Sequence, residues 1–192
     1  SSSSAASDVY KRQIDVSTPV ATLFPVDLEL LPDGSSVLLA QDDIARGMAA
    51  YLIATNAGGN PLWTASEINA RFSDICIEGN SIIAAGSIAG SPGRDMFLAR
   101  YNRNDGQRSS FISIDAAAGQ SDVLSVVTAD NTAVYAGGRI PDTDGDVLLT
   151  LLRWPISGDA SFHTFHAAYG ANRCTGIRII PGGGVAVTAR VE

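Results

Sequence analysis

The chain is short of the residues that carry most protein chemistry. Its 192 residues include two cysteines, two histidines and a single lysine, Lys11. A formal net charge of −7 argues against a nucleic-acid backbone or an anionic membrane as partner, since both need clustered Lys and Arg, and the basic residues other than Lys11 are all arginine. Cys76 and Cys174 do not stand at a metal-ligand spacing, and two cysteines in a chain of this size make no disulfide scaffold. The expectation is two free thiols packed as small apolar side chains. His163 and His166 lie three apart in a stretch that reads as a strand, so their side chains point to opposite faces and form no metal site. No apolar run approaches the roughly eighteen residues of a membrane-spanning helix. No Gly-x-Ser-x-Gly elbow occurs, and the PGGGV stretch at Pro181 lacks the Lys-Ser/Thr of a phosphate loop. No segment keeps a helical period beyond one turn.

What is present is a repeat. Four stretches read DLELLPDGSSVLLAQ, FSDICIEGNSIIAAGS, LSVVTADNTAVYAGGR and GIRIIPGGGVAVTAR, with Gly34, Gly79, Asn131 and Gly183 in one slot at spacings of 45, 52 and 52. A short apolar strand precedes each slot: Leu28 to Leu31, Ser73 to Ile77, Ser125 to Thr128 and Ile177 to Ile180. A tight turn follows, made of residues that supply a positive φ or an Asx-type bond. The second strands, Val37 to Ala40, Ile82 to Ala85, Val134 to Gly137 and Val185 to Thr188, are apolar on both faces and suit a sheet sandwiched between neighbours. After a variable loop come third strands at Ala50 to Thr55, Met96 to Tyr101 and Val147 to Trp154. Fourth strands at Leu62 to Ala65, Ser110 to Ile114 and Ser161 to His166 complete each unit.

Four antiparallel strands at this period are the arithmetic of a β-propeller blade. The fold expected is all-β, a partial propeller of three to four four-stranded blades. Its units span approximately 24–66, 72–115 and 122–166, with a partial unit at 174–192. Small residues at Ala40, Ala84, Ala85, Ala136 and Gly137 permit close stacking of blades. The rival architecture is a β-sandwich of short strands. Val16 to Leu23 reads as the outer strand of a preceding blade. Ser1 to Ser7 is of low complexity, and the DVYKRQ that follows looks like translated sequencing adapter. Residues 1–13 are therefore expected to be disordered or artefactual, residues 14–192 to be the repeat segment, and the whole to be a fragment.

The second unit carries a resemblance. EGNSIIAAGS and GRDMFLARYNRNDG resemble the delta-60 repeat family of bacterial β-propellers of unassigned function, with Asp95, Leu98, Ala99, Arg100, Tyr101, Asn102, Asp105 and Gly106 matching its motif. Asp146, Leu149 and Gly158 match in the third unit; Tyr51, Leu52 and residues 56–59 fit loosely in the first. The resemblance implies fold and repeat register, and no chemistry.

Asp142, Asp144 and Asp146 alternate as loop ligands of Ca²⁺ do, and are the candidate metal residues. The competing reading is a solvated acidic loop, with Asp146 in the repeat slot of Asp95. Arg100 and Asp105 look catalytic in isolation; in the repeat they tie turns and strand edges together. No cofactor is expected beyond the candidate Ca²⁺.

Variable loops on a repeated scaffold are where function sits. The loops joining second to third strands share one face with the links between blades, and that face carries Asp42, Asp43 and Arg46; Ser91 and Arg94; Arg139, Asp142 and Asp144; and the stretches Glu67 to Arg71, Ala116 to Ser121 and Tyr169 to Arg173. The function expected is a non-catalytic binding or scaffold module of a larger exported bacterial protein, extracellular or in the cell envelope. A protein or glycan ligand would sit on the variable-loop face. The alternative is an enzymatic or quinoprotein-like propeller with a site assembled from several blades. Convergent Asp, Glu, His or Arg at the channel mouth would favour a ligand or catalytic site; Ser, Ala and Gly would favour a scaffold.

Overall fold

A computed structural model describes residues 23–42, 48–117, 119–141, 147–156, 160–166, 172–182 and 184–191, with only the backbone at 162, 165, 166, 172 and 191. The first sheet comprises β1 (Leu23–Leu30), β2 (Ser36–Asp42), β3 (Ala49–Thr55) and β4 (Pro61–Ile68). The second comprises β5 (Ala70–Glu78), β6 (Ser81–Ala89), β7 (Arg94–Asn102) and β8 (Arg108–Ile114). The third comprises β9 (Val123–Ala129), β10 (Ala133–Pro141), β11 (Val147–Pro155) and β12 (Ser161–His166). A two-stranded sheet, β13 (Asn172–Ile180) and β14 (Gly184–Val191), follows. Each sheet is antiparallel and its strands lie in chain order.

The sheets fan about an axis through their first strands: β1 packs on β5, β5 on β9 and β9 on β13. This is a partial propeller of three four-stranded blades and a first hairpin of a fourth, and not two opposed faces of a sandwich. Blade two shows why its strands are apolar throughout. Ile82, Ala84, Phe97, Ala99 and Tyr101 face the first blade and form one core with Leu39, Leu52 and Phe72. Ile83, Ala85, Met96 and Leu98 face the third and form another with Leu124, Val134 and Leu152. The small residues expected to permit stacking do so: Ala84, Ala85 and Ala136 are fully buried.

Strands extend beyond the apolar runs at both ends, because the ladder continues through polar residues toward the loops. Leu23 opens β1 and does not end an outer strand; residues 16–22 lie outside the described ones. The hairpin slot is real but elastic. Pro25 stands nine residues before Gly34, whereas Phe72, its structural equivalent, stands seven before Gly79. Gly34 and Gly79 adopt φ of 81° and 56°. Asn131 reaches its turn differently: Asp130 Oδ1 accepts the N–H groups of Thr132 and Ala133 at 2.7 and 2.9 Å. Gly183 lies outside the described residues, within the β13–β14 hairpin.

Each first strand carries a β-bulge at one place. The register slips between Pro25 and Asp27, between Phe72 and Asp74, opposite Gly137 and Gly138, and between Cys174 and Gly176. The second strand must come close there. A Cβ on Gly86 would strike the carbonyl of Arg71, and one on Gly138 that of Val123.

Leu28, Leu30 and Leu62 of the first blade are 50%, 71% and 60% exposed. An apolar sheet face of this kind invites association. The chain is expected to self-associate in light scattering. Replacing the three leucines by threonine should shift it toward monomer; a monodisperse wild-type monomer would contradict this reading of the face.

Candidate functional site

The bulges aim side chains at the axis. Val26, Ser73 and Ser125, the extra residues of the first three bulges, line a common cavity of about 630 Å³ at the end where the first strands begin. Other cavities, near 300 Å³, lie at a hairpin end and between the third and fourth sheets. The large cavity draws on all four units: Gln41 from the first, Arg71 and Arg94 from the second, Arg139 from the third and Arg173 from the fourth. Arg71 and Arg173 occupy one repeat slot, immediately before Phe72 and Cys174 at their bulges. Among the described residues, no acidic side chain lines the cavity.

Arg94 is locked in place. Its Nε donates to Ser87 Oγ at 2.9 Å, and its Nη2 to the carbonyls of Ser87 and Asn69 at 2.9 and 3.1 Å. Burial, and then the Arg71 charge, lower its affinity for a proton. The adjoining link between blades is tied to the same point, since the Arg94 carbonyl accepts the N–H of Asp122 at 2.7 Å. Asp122 is itself buried. Its Oδ2 accepts the N–H groups of Ala116 and Ala117 at 2.7 and 3.1 Å, its Oδ1 has no partner, and burial raises its pKa.

Further along the axis the lining changes sign. Asp27 and Asp74, the residues after the bulge in blades one and two, each reach across to the next blade. Asp27 Oδ2 accepts the N–H of Ile75 at 3.1 Å, and Asp74 Oδ2 that of Val127 at 2.6 Å. The two carboxyls are neighbours, and burial first, then the adjacent Asp27 carboxyl, push Asp74 up to about 7. Burial and neighbouring carboxylates likewise push the Cys76 thiol up. Both Cys76 and Cys174 are free thiols, and Cys174 donates to the Gly138 carbonyl at 3.6 Å.

The segment from Asp95 to Gly106 and its neighbours serve packing. Arg100 lies 5.1 Å over the Trp154 ring, and Asp105 Oδ1 accepts the N–H of Gln107 at 2.9 Å. Tyr101 donates to Glu67 Oε2 at 3.1 Å, and Arg108 meets the same oxygen at 2.6 Å. The Trp63 indole donates to the Arg103 carbonyl at 2.9 Å, and its ring fills the space where a Cβ on Gly106 would stand.

Asp142, Asp144 and Asp146 lie outside the described residues, as do Asp43, Arg46 and 167–171. Asp42 accepts the Ala49 N–H at 3.0 Å and closes its own loop. His163 is exposed on β12. Among the described residues no three His, Cys, Asp or Glu side chains could hold a metal ion. Of the variable-loop residues singled out from sequence, Arg71, Arg94, Ser121, Arg139 and Arg173 are brought together. Sequence reading missed their convergence and the axial carboxylates; the shared slot of Arg71 and Arg173 was the available signal. No protein-family model matches the chain, and no curated protein does.

Asp74 generates a pH dependence. Its folded pKa lies above the unfolded value, so it contributes stability that is complete below about pH 4 and is lost progressively as pH rises from there to about 7. Asp74→Asn keeps an oxygen for Val127 and an N–H for Asp27. Urea melts at about pH 5.5 and about pH 8 should show the wild type about 2 kcal/mol less stable at the higher pH, the loss falling below about pH 7. The variant should lose little; equal losses would remove Asp74 as the cause.

Proposed function

We propose that the chain is a non-catalytic ligand-binding module of a larger exported bacterial protein, built on a delta-60-like repeat and binding a partner on its variable-loop face. The observation that carries this reading is the axial cavity on that face, lined by arginines from three units. Charged groups converging on a channel mouth are costly to hold together without a ligand, so they favour binding over a bare spacer. Among the described residues the polar lining is arginine, serine and glutamine, with no carboxylate, imidazole or thiol to act as a general base, which favours binding over catalysis. A protein or glycan ligand set in the extracellular space or cell envelope suits such a concave polar mouth.

The experiment screens the chain against a glycan array and an envelope-protein library, then maps the strongest binder by hydrogen exchange. Protection at 69–72, 91–95, 119–124 and 139–141 is the expected result. Protection confined to the hairpin turns at 32–35, 79–80 and 130–132 would overturn the choice of face. Absence of any binder from both screens would favour a structural spacer.

A further inference from the structure

We propose that the arginine-lined axial mouth is a site for a small multivalent oxyanion, a ligand bearing two or more carboxylate or phosphate groups. The proposal rests on the variable-loop face being the binding face, and it names the chemistry selected there.

The chain is acidic overall, with 20 Asp and Glu against 13 Lys and Arg. Arginines in such a chain should find carboxylates easily. Yet Arg71, Arg94, Arg139 and Arg173 border one cavity whose lining, among the described residues, holds no carboxylate. The ion pair present among the described residues, Arg108 with Glu67, lies elsewhere. Arg94 is fixed by hydrogen bonds to Ser87 of its own blade, to Asn69 in the link before it and to the Met48 sulfur of the first unit, and so presents a stationary charge. Arg71 beside it repels it, as the depressed proton affinity of Arg94 records after burial is counted. An anion between them relieves that repulsion, and the planar guanidinium fork matches the two oxygens of a carboxylate or phosphate.

The cavity's size and lining narrow the class. About 630 Å³ falls among small-molecule sites and exceeds the needs of one inorganic phosphate. Ser73, Ser87, Ser121 and Ser125 add hydroxyl donors around it. Its aromatic residue, Phe72, is 1% exposed and stacks on Phe97, so no ring is offered to a nucleobase. A long polyanion leaving the mouth would run onto an acidic surface and be repelled. The acidic pair of Asp27 and Asp74 further along the axis, negative even when Asp74 keeps its proton, disfavours an anion passing deeper.

The test is isothermal titration calorimetry of the whole chain with citrate and, separately, with tripolyphosphate. The wild type is expected to bind at least one of them, with affinity falling as salt rises. Arg71→Gln with Arg139→Gln should weaken binding about tenfold or more for each charge removed. Arg173→Gln alone, on an exposed side chain, guards against misfolding of that pair and should cost about tenfold. Arg153→Gln with Arg178→Gln removes two exposed charges elsewhere and should leave affinity unchanged. Preference for citrate or tripolyphosphate separates carboxylate from phosphate ligands. Failure of both probes to bind, or equal loss in the Arg153/Arg178 variant, would overturn the proposal. Neither outcome touches the choice of face, which the hydrogen-exchange footprint decides without any anion.

Discussion

The second blade has no face to spare. Phe97 and Ala99 point into one core and Met96 and Leu98 into the other, all at or near zero exposure. A sheet buried on both faces needs two neighbours, and equivalent neighbours at a constant angle make a fan. Much else follows. Alanines at Ala84, Ala85 and Ala136 set how closely sheets stack, and aromatic rings fill the wider space toward the edge, where Trp63 meets Gly106 and Arg100 covers Trp154. Near the axis the first strands crowd, and the repeated bulge is how each keeps pairing while turning a side chain toward the centre.

Architecture was legible because burial on two faces leaves a strong mark. Runs such as Ile82-Ile83-Ala84-Ala85 have no polar alternation, and the turns between them are written in Gly34, Gly79 and Asp130. The bulge was not legible. Val26, Ser73, Ser125 and Thr175 share a position and no chemistry, since what defines them is a slip in pairing. Asp27 and Asp74 were obscured for another reason. A carboxylate inside a strand reads as a solvated side chain, and its true partner is a backbone N–H about one repeat away. The arginines of the mouth were named individually from their loops, but only the closing of the fan brings them to one cavity.

The axis is electrically ordered as a result. The first strands begin with arginine at Arg71 and Arg173 and, in the first two blades, continue into Asp27, Glu29, Asp74 and Glu78. Parallel placement of first strands around one line adds these charges in phase, positive at the variable-loop end and negative beyond the bulge. A chain whose net charge is negative thus presents a local positive field at one opening. Cost is visible at both ends: Arg94 holds its proton less firmly, and Asp74 holds its own more firmly.

The seams between blades are not equal. Asp27 fastens the first to the second and Asp74 the second to the third, but Val126 occupies that place in the third blade and has no oxygen to offer. What remains there includes the packing of Cys174 against Gly137 and its weak bond to Gly138. In a repeat array whose stability is a sum over neighbours, the weakest seam decides where opening starts. At this seam the β13–β14 hairpin is held by packing against β9, β10 and β11 rather than by an axial carboxylate.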